Sequence, residues 1–133
     1  MIKVICGKKG SGKTKQMIDM VNDVCAKTTG SVVCIEEGMQ LTYDISYRCR
    51  LIDAKEYAIN GYDAFYGFFA GVLAGNYDIS DVFVDGILKI GNKDLAGLGC
   101  LFAKIEKLTK DVNVTITVSA DEADLPEEVK KYL

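Results

Sequence analysis

An apolar run, Ile2-Lys3-Val4-Ile5-Cys6, passes directly into Gly7-Lys8-Lys9-Gly10-Ser11-Gly12-Lys13-Thr14. From Thr14 to about Lys27, apolar or small residues recur at Met17, Ile18, Val21, Val24 and Cys25. The first stretch has the length of a buried strand, and the three/four spacing of the second marks a helix with one buried face. Between them there is room only for a tight glycine loop. Strand, glycine loop and helix in immediate succession commit the chain to an α/β architecture.

The remaining sequence repeats the alternation. Ser31 to Ile35 reads as a second strand, ending at Glu36-Glu37-Gly38, and Ser80 to Gly86 as a short strand ending on Asp85. Val112 to Val118 supplies a final strand, with Ser119 at its end. Lys93 to about Lys110 predicts a helix, with Leu95, Leu98, Phe102, Ile105 and Leu108 on a common side. Asp53 to about Asn76 reads mainly helical, interrupted at Gly61, Gly67 and Gly71; within it Tyr62, Phe65, Phe69 and Leu73 share helical spacing. Thr42 to Ile52 fits either a strand around Tyr47 to Leu51 or a hairpin, and the tail after Asp121 a loop and one short helix. Short apolar strands alternating with helices predict a mainly parallel sheet covered on both faces, a three-layer sandwich in one domain over residues 1–133.

The glycine loop matches G-x-x-x-x-G-K-[ST] in the strand–helix context that this pattern requires. Gly7, Gly10 and Gly12 let backbone N–H groups approach a phosphate with no Cβ in the way. The following helix N-terminus adds further free N–H groups and the positive end of its dipole. Lys8, Lys9 and Ser11 complete the loop, Lys13 has the reach for the β- and γ-phosphates, and the Thr14 hydroxyl suits Mg²⁺. Asp85, at the carboxyl end of its strand, is the natural second metal ligand, expected beside the strand that carries the loop. Asp81 sits at the strand's other end.

Composition narrows the remaining classes. The chain has 19 acidic and 16 basic residues, a net charge of −3, so no global field gathers nucleic acid or an anionic membrane. All but Arg48 and Arg50 of the basic residues are lysine, which handicaps multidentate phosphate clamping. Cys6, Cys25, Cys34, Cys49 and Cys100 form no C-x-x-C pair and there is no histidine, which argues for free thiols in a reducing cytoplasm over a zinc site or disulfide scaffold. The most apolar stretch, Ala64 to Leu73, is too short to span a bilayer.

With the loop, Glu37 and Asp85 placed, the chain resembles a small P-loop NTPase, closest to the RecA-like ATPase core in the branch whose catalytic acid is a glutamate. The resemblance implies that ATP and Mg²⁺ are bound, that Glu37, with Glu36 its close competitor, polarises the attacking water, and that Asp85 serves the magnesium site. It also implies that Ser119 senses the γ-phosphate. Gly86 stands where a second acid often follows the magnesium aspartate, and the later strands of a full RecA-like domain are absent from this sequence.

Other readings compete. Asn92-Lys93-Asp94-Leu95 resembles the guanine-reading N-K-x-D, but its aspartate comes one place early, leaving adenine as the expectation by exclusion. A small P-loop kinase would use Asp53 or Glu56 to orient an acceptor hydroxyl, yet lacks the usual lid arginines. Arg48 or Arg50 would have to act across a subunit boundary; ordinary solvent-facing arginines on an edge strand are the plainer expectation. The apolar surplus at Tyr66 and Phe68 admits self-association. A nucleotide-dependent switch or scaffold with little hydrolysis is the non-enzymatic alternative.

Overall fold

The structure, a computed structural model, describes residues 1–38, 41 and 43–133. Strands β1 (Ile2–Cys6), β2 (Ser31–Glu36), β3 (Cys49–Asp53), β4 (Ile79–Val84) and β5 (Asn113–Val118) form one sheet in the order β1-β5-β4-β2-β3. Every neighbouring pair is parallel. The helices are α1 (Lys13–Lys27), α2 (Tyr62–Ala74), α3 (Ile87–Ile90), α4 (Leu98–Leu108) and α5 (Glu127–Lys130).

Alternation along the strands divides the interior in two. Val32, Cys34 and Phe83 face α1 and pack with its Met17, Val21 and Cys25. Val33, Ile35, Val82, Val84 and Ile116 point the other way, onto Phe65 and Phe69 of α2 and Leu98, Phe102 and Ile105 of α4. Helices therefore cover both faces, as an all-parallel sheet requires. Phe65, Phe69, Phe83 and Phe102 are each no more than 1% exposed, and full burial of such a side chain contributes about 1.5–3 kcal/mol. The surplus apolar surface of α2 finds neighbours within the chain. Phe68 stacks on Tyr57 with ring centroids 6.0 Å apart, and the Lys104 ammonium lies 5.5 Å from the Tyr66 ring centre.

The expected order of elements is present, with two corrections and one open reading resolved. Asp53 does not open a helix. It pairs with Glu36 as the last residue of β3, and its Oδ1 accepts the N–H groups of Gly38 at 2.7 Å and Lys55 at 2.9 Å. Those bonds turn the chain, and Ala58 follows with φ of 55°, so the helix begins only at Tyr62. The helix predicted from Lys93 begins at Leu98, because Asn92 and Lys93 are left-handed (φ 57° and 64°) and Asp94 Oδ1 accepts the Gly97 N–H at 3.0 Å. Leu98, Phe102 and Ile105 are buried as expected, whereas Leu95 precedes the helix and Leu108 is exposed. The open segment resolves as a parallel edge strand, Cys49–Asp53, and not as a hairpin; Thr42, where that reading began, lies outside the described residues. Among the described residues no helix is long and apolar enough to cross a membrane.

Phe65→Ala is expected to cost about 3–5 kcal/mol in urea unfolding, and Tyr43→Ala, at an exposed side chain, less than ~0.5 kcal/mol. The thiols give a second test. All five cysteines are free, Cys25, Cys34 and Cys49 are buried and Cys100 is exposed. Burial pushes the Cys34 thiol up and that of Cys49 from 9.0 to about 12. The folded chain holds these protons more tightly than the unfolded one. This contribution is therefore complete below the ordinary thiol pKa and is lost as pH rises toward that of the folded state. The urea midpoint is expected to fall between pH 8 and pH 10, and a thiol reagent to label Cys100 long before Cys34 or Cys49.

Candidate functional site

All five strands present their carboxyl ends along one edge. The chain leaving β1 passes through residues 7–12 to α1 on one face, while the chain leaving β4 passes through Asp85 and α3 toward α4 on the other. Such a divergence leaves a crevice above the strand ends. Here it is a cavity of about 860 Å³. Gly10, Gly12, Lys13 and Thr14 line one side, Asp85 and Gly86 the other, and Thr117 and Ser119 of the β5 end lie on its wall between them.

The glycine loop is built by backbone conformation. Gly10 and Gly12 have φ of 86° and 89°, where an L side chain would be strained although a Cβ would meet nothing within 4 Å. A Cβ on Gly7 would instead collide with Ser11 Oγ. The Gly7 N–H donates to Ala120 O at 2.9 Å, tying the loop to the chain after β5. Lys13 opens α1 and folds back over the loop, its Nζ donating to Lys8 O at 3.0 Å and reaching Ser11 Oγ at 3.5 Å. Only 8% of its surface is exposed, so the loop holds a cation at its centre.

Asp85 is fixed from the sheet. Thr117 Oγ1 donates to its Oδ1 at 2.8 Å and accepts the buried Gly86 N–H at 2.7 Å. Thr14 Oγ1 donates to Oδ2 at 3.4 Å, a longer and weaker contact. The expectation that β4 lies beside β1 is corrected: β5 runs between them, and its Thr117 hydroxyl positions the carboxylate. Thr117 was missed in the sequence; its place one residue before the end of a strand was the available signal.

Several candidates stand elsewhere. Glu36 is buried, with Oε2 accepting the Leu41 N–H at 3.3 Å. Glu37 follows the last paired residue of β2 and is half-buried; neither acid is among the residues lining the cavity. Arg48 and Arg50 are exposed at the sheet edge formed by β3, and Arg48 Nη1 donates to Cys25 O at 3.4 Å. The Asp53 carboxylate builds the turn after β3, and Asp94 the turn before α4. Lys8 and Lys9 are exposed, Lys9 at the cavity. Among the described residues no group of three or more Cys, Asp or Glu is placed to hold a metal alone.

Thr117→Val, nearly isosteric, would leave the buried Gly86 N–H without its acceptor and is expected to cost about 1–3 kcal/mol in chemical denaturation. Thr14→Val, which removes only the 3.4 Å contact, is expected to cost less than ~0.5 kcal/mol.

No protein-family model and no curated protein matches the chain. Solved structures do, among them the flagellar accessory protein FlaH from Methanocaldococcus jannaschii, with a TM-score of 0.62 at 15% identity. The alignment covers 98% of this chain and 65% of FlaH, so this chain spans less than two thirds of that protein's length. The likeness is one of fold. It agrees with the five-stranded, all-parallel sheet covered by helices: the chain has an α/β fold that FlaH shares.

Proposed function

We propose that this chain binds a magnesium nucleoside triphosphate, ATP by exclusion of guanine-reading elements, and turns it over slowly. The observation that carries this reading is the meeting of the glycine loop with the Thr14–Asp85 pair at one cavity above the strand ends. The donor set fits. Mg²⁺ takes oxygen ligands and is commonly held by one or two protein oxygens together with substrate phosphates and water. A hydroxyl and a carboxylate sharing one hydrogen bond supply that share, and an all-protein cage is not needed.

Each residue then has a task. Backbone N–H groups of the loop other than those of Gly7 and Ser11, which donate to Ala120 O and Lys8 O, would receive the phosphates, and Lys13 would exchange the Lys8 carbonyl for β- and γ-phosphate oxygens. Thr14 and Asp85 would hold the magnesium ion, with Thr117 keeping the carboxylate in place. Bound magnesium would offset phosphate charge and withdraw electrons from the bond that breaks. Ser119, on the same wall, is the candidate contact to the terminal phosphate. Glu37 is the proposed water-orienting base. Its position off the cavity wall favours slow hydrolysis, and with it the reading of a nucleotide-dependent switch over a fast motor.

Isothermal titration with ATP in Mg²⁺ is the test. Lys13→Ala, with circular dichroism unchanged, is expected to weaken binding at least ~100-fold, since it removes a desolvated charge-assisted contact. Equal affinity would overturn the site. Phosphate release by the wild type is expected well below the ~10 s⁻¹ typical of enzymes, and Glu37→Gln to slow it a further ~10-fold or more. If Glu36→Gln slows it and Glu37→Gln does not, the base is Glu36. Phosphate transfer to a metabolite and not to water would make the protein a kinase.

A further inference from the structure

The cavity carries more positive charge than the loop accounts for. Besides Lys9 and Lys13, its wall beyond Asp85 holds Lys89 and Lys93, so four lysines face one carboxylate in a chain whose net charge is −3. Lys89 lies on α3, and its side-chain stem runs over Gly86: a Cβ placed there would sit 3.5 Å from Lys89 Cδ. That sets the stem over the residue that follows Asp85, on the wall of the same cavity.

Lys93 is held by a built segment. Asn92 and Lys93 are both left-handed, a conformation that costs a non-glycine residue energy and persists only where neighbours impose it. The neighbours are on hand. The Lys93 N–H donates to Leu88 O at 2.8 Å, Asn92 Nδ2 to Asn60 Oδ1 at 2.7 Å, and Tyr62 Oη to Asp94 O at 2.6 Å. The Tyr62 ring packs so closely on Gly91 that any Cβ there would overlap it. The start of α2 thus clamps residues 91–94 and sets Lys93 at the cavity.

We infer that Lys89 and Lys93 are cationic contacts, supplied within the same chain, to the terminal phosphate of the bound triphosphate. The inference rests on the nucleotide reading above. A phosphate chain entering along the glycine loop and passing the Thr14–Asp85 pair ends facing this wall. The lysines there occupy the role that the sequence suggested for Arg48 or Arg50, which stand just before and within the edge strand β3 and are not among the residues lining the cavity. A ligand lacking the last phosphate leaves them without a partner, so they discriminate triphosphate from diphosphate.

The test compares ATP and ADP binding, each with Mg²⁺, in the wild type and in Lys89→Gln/Lys93→Asn; asparagine tolerates the left-handed backbone at 93. The double variant is expected to bind ATP about 10- to 100-fold more weakly and ADP less than ~3-fold more weakly, the loss of two charge-assisted contacts. Lys89→Arg should restore ATP affinity in part, and Lys110→Gln, at an exposed lysine elsewhere, should leave it unchanged. If the wild type binds ATP and Lys13→Ala does not, while the double variant keeps its ATP affinity or loses ATP and ADP equally, this inference fails and the nucleotide reading stands. If the wild type binds neither nucleotide, or Lys13→Ala binds as well as the wild type, both fail.

Discussion

Parallel strands cannot be joined by tight turns, so each connection in this sheet must travel back along a face before the next strand begins. With five parallel strands, every carboxyl end emerges at the same edge, and the helices are forced onto the faces they must cover. The chain takes α1 over one face between β1 and β2 and α2 and α4 over the other on its return. The glycine loop and the segment after β4 consequently leave the sheet in opposite directions, and the cavity is what lies between them.

β5 decides what that cavity can do. Running between β1 and β4, it separates the glycine loop from Asp85 by a full strand and fills the gap with Thr117 and Ser119. The short bonds of Thr117, one buried and one half-buried, hold Asp85 and Gly86 together, whereas the Thr14 contact is long and solvent-facing. Asp85 is therefore oriented by the sheet and only touched by the loop.

Much of this was legible in the sequence because its causes are local. Met17, Val21 and Cys25 recur at helical spacing, and the strands read as short, mostly apolar segments. Helices were read too long where the hydrophobic rhythm ran on past a turn made by side chains. Asp53 fits a helix start by spacing, but its carboxylate ends a strand by accepting two backbone N–H groups; Asp94 does the like before α4. Spacing does not reveal such bonds. Nor did position along β2 show that Glu36 would turn inward, or that Glu37 would stand off the cavity.

The sequence by itself determined the succession of strands and helices, the glycine loop between β1 and α1, and the parallel character of the sheet. These follow from periodicity and backbone freedom, which act over a few residues. Only the tertiary structure decided the strand order, and with it the partners of Asp85 and the lysines that share its cavity. Pairing β5 between β1 and β4 joins residues about a hundred positions apart, as in Ile2 against Val114. Nothing local encodes that choice; it is set by which arrangement buries both faces of the sheet at once.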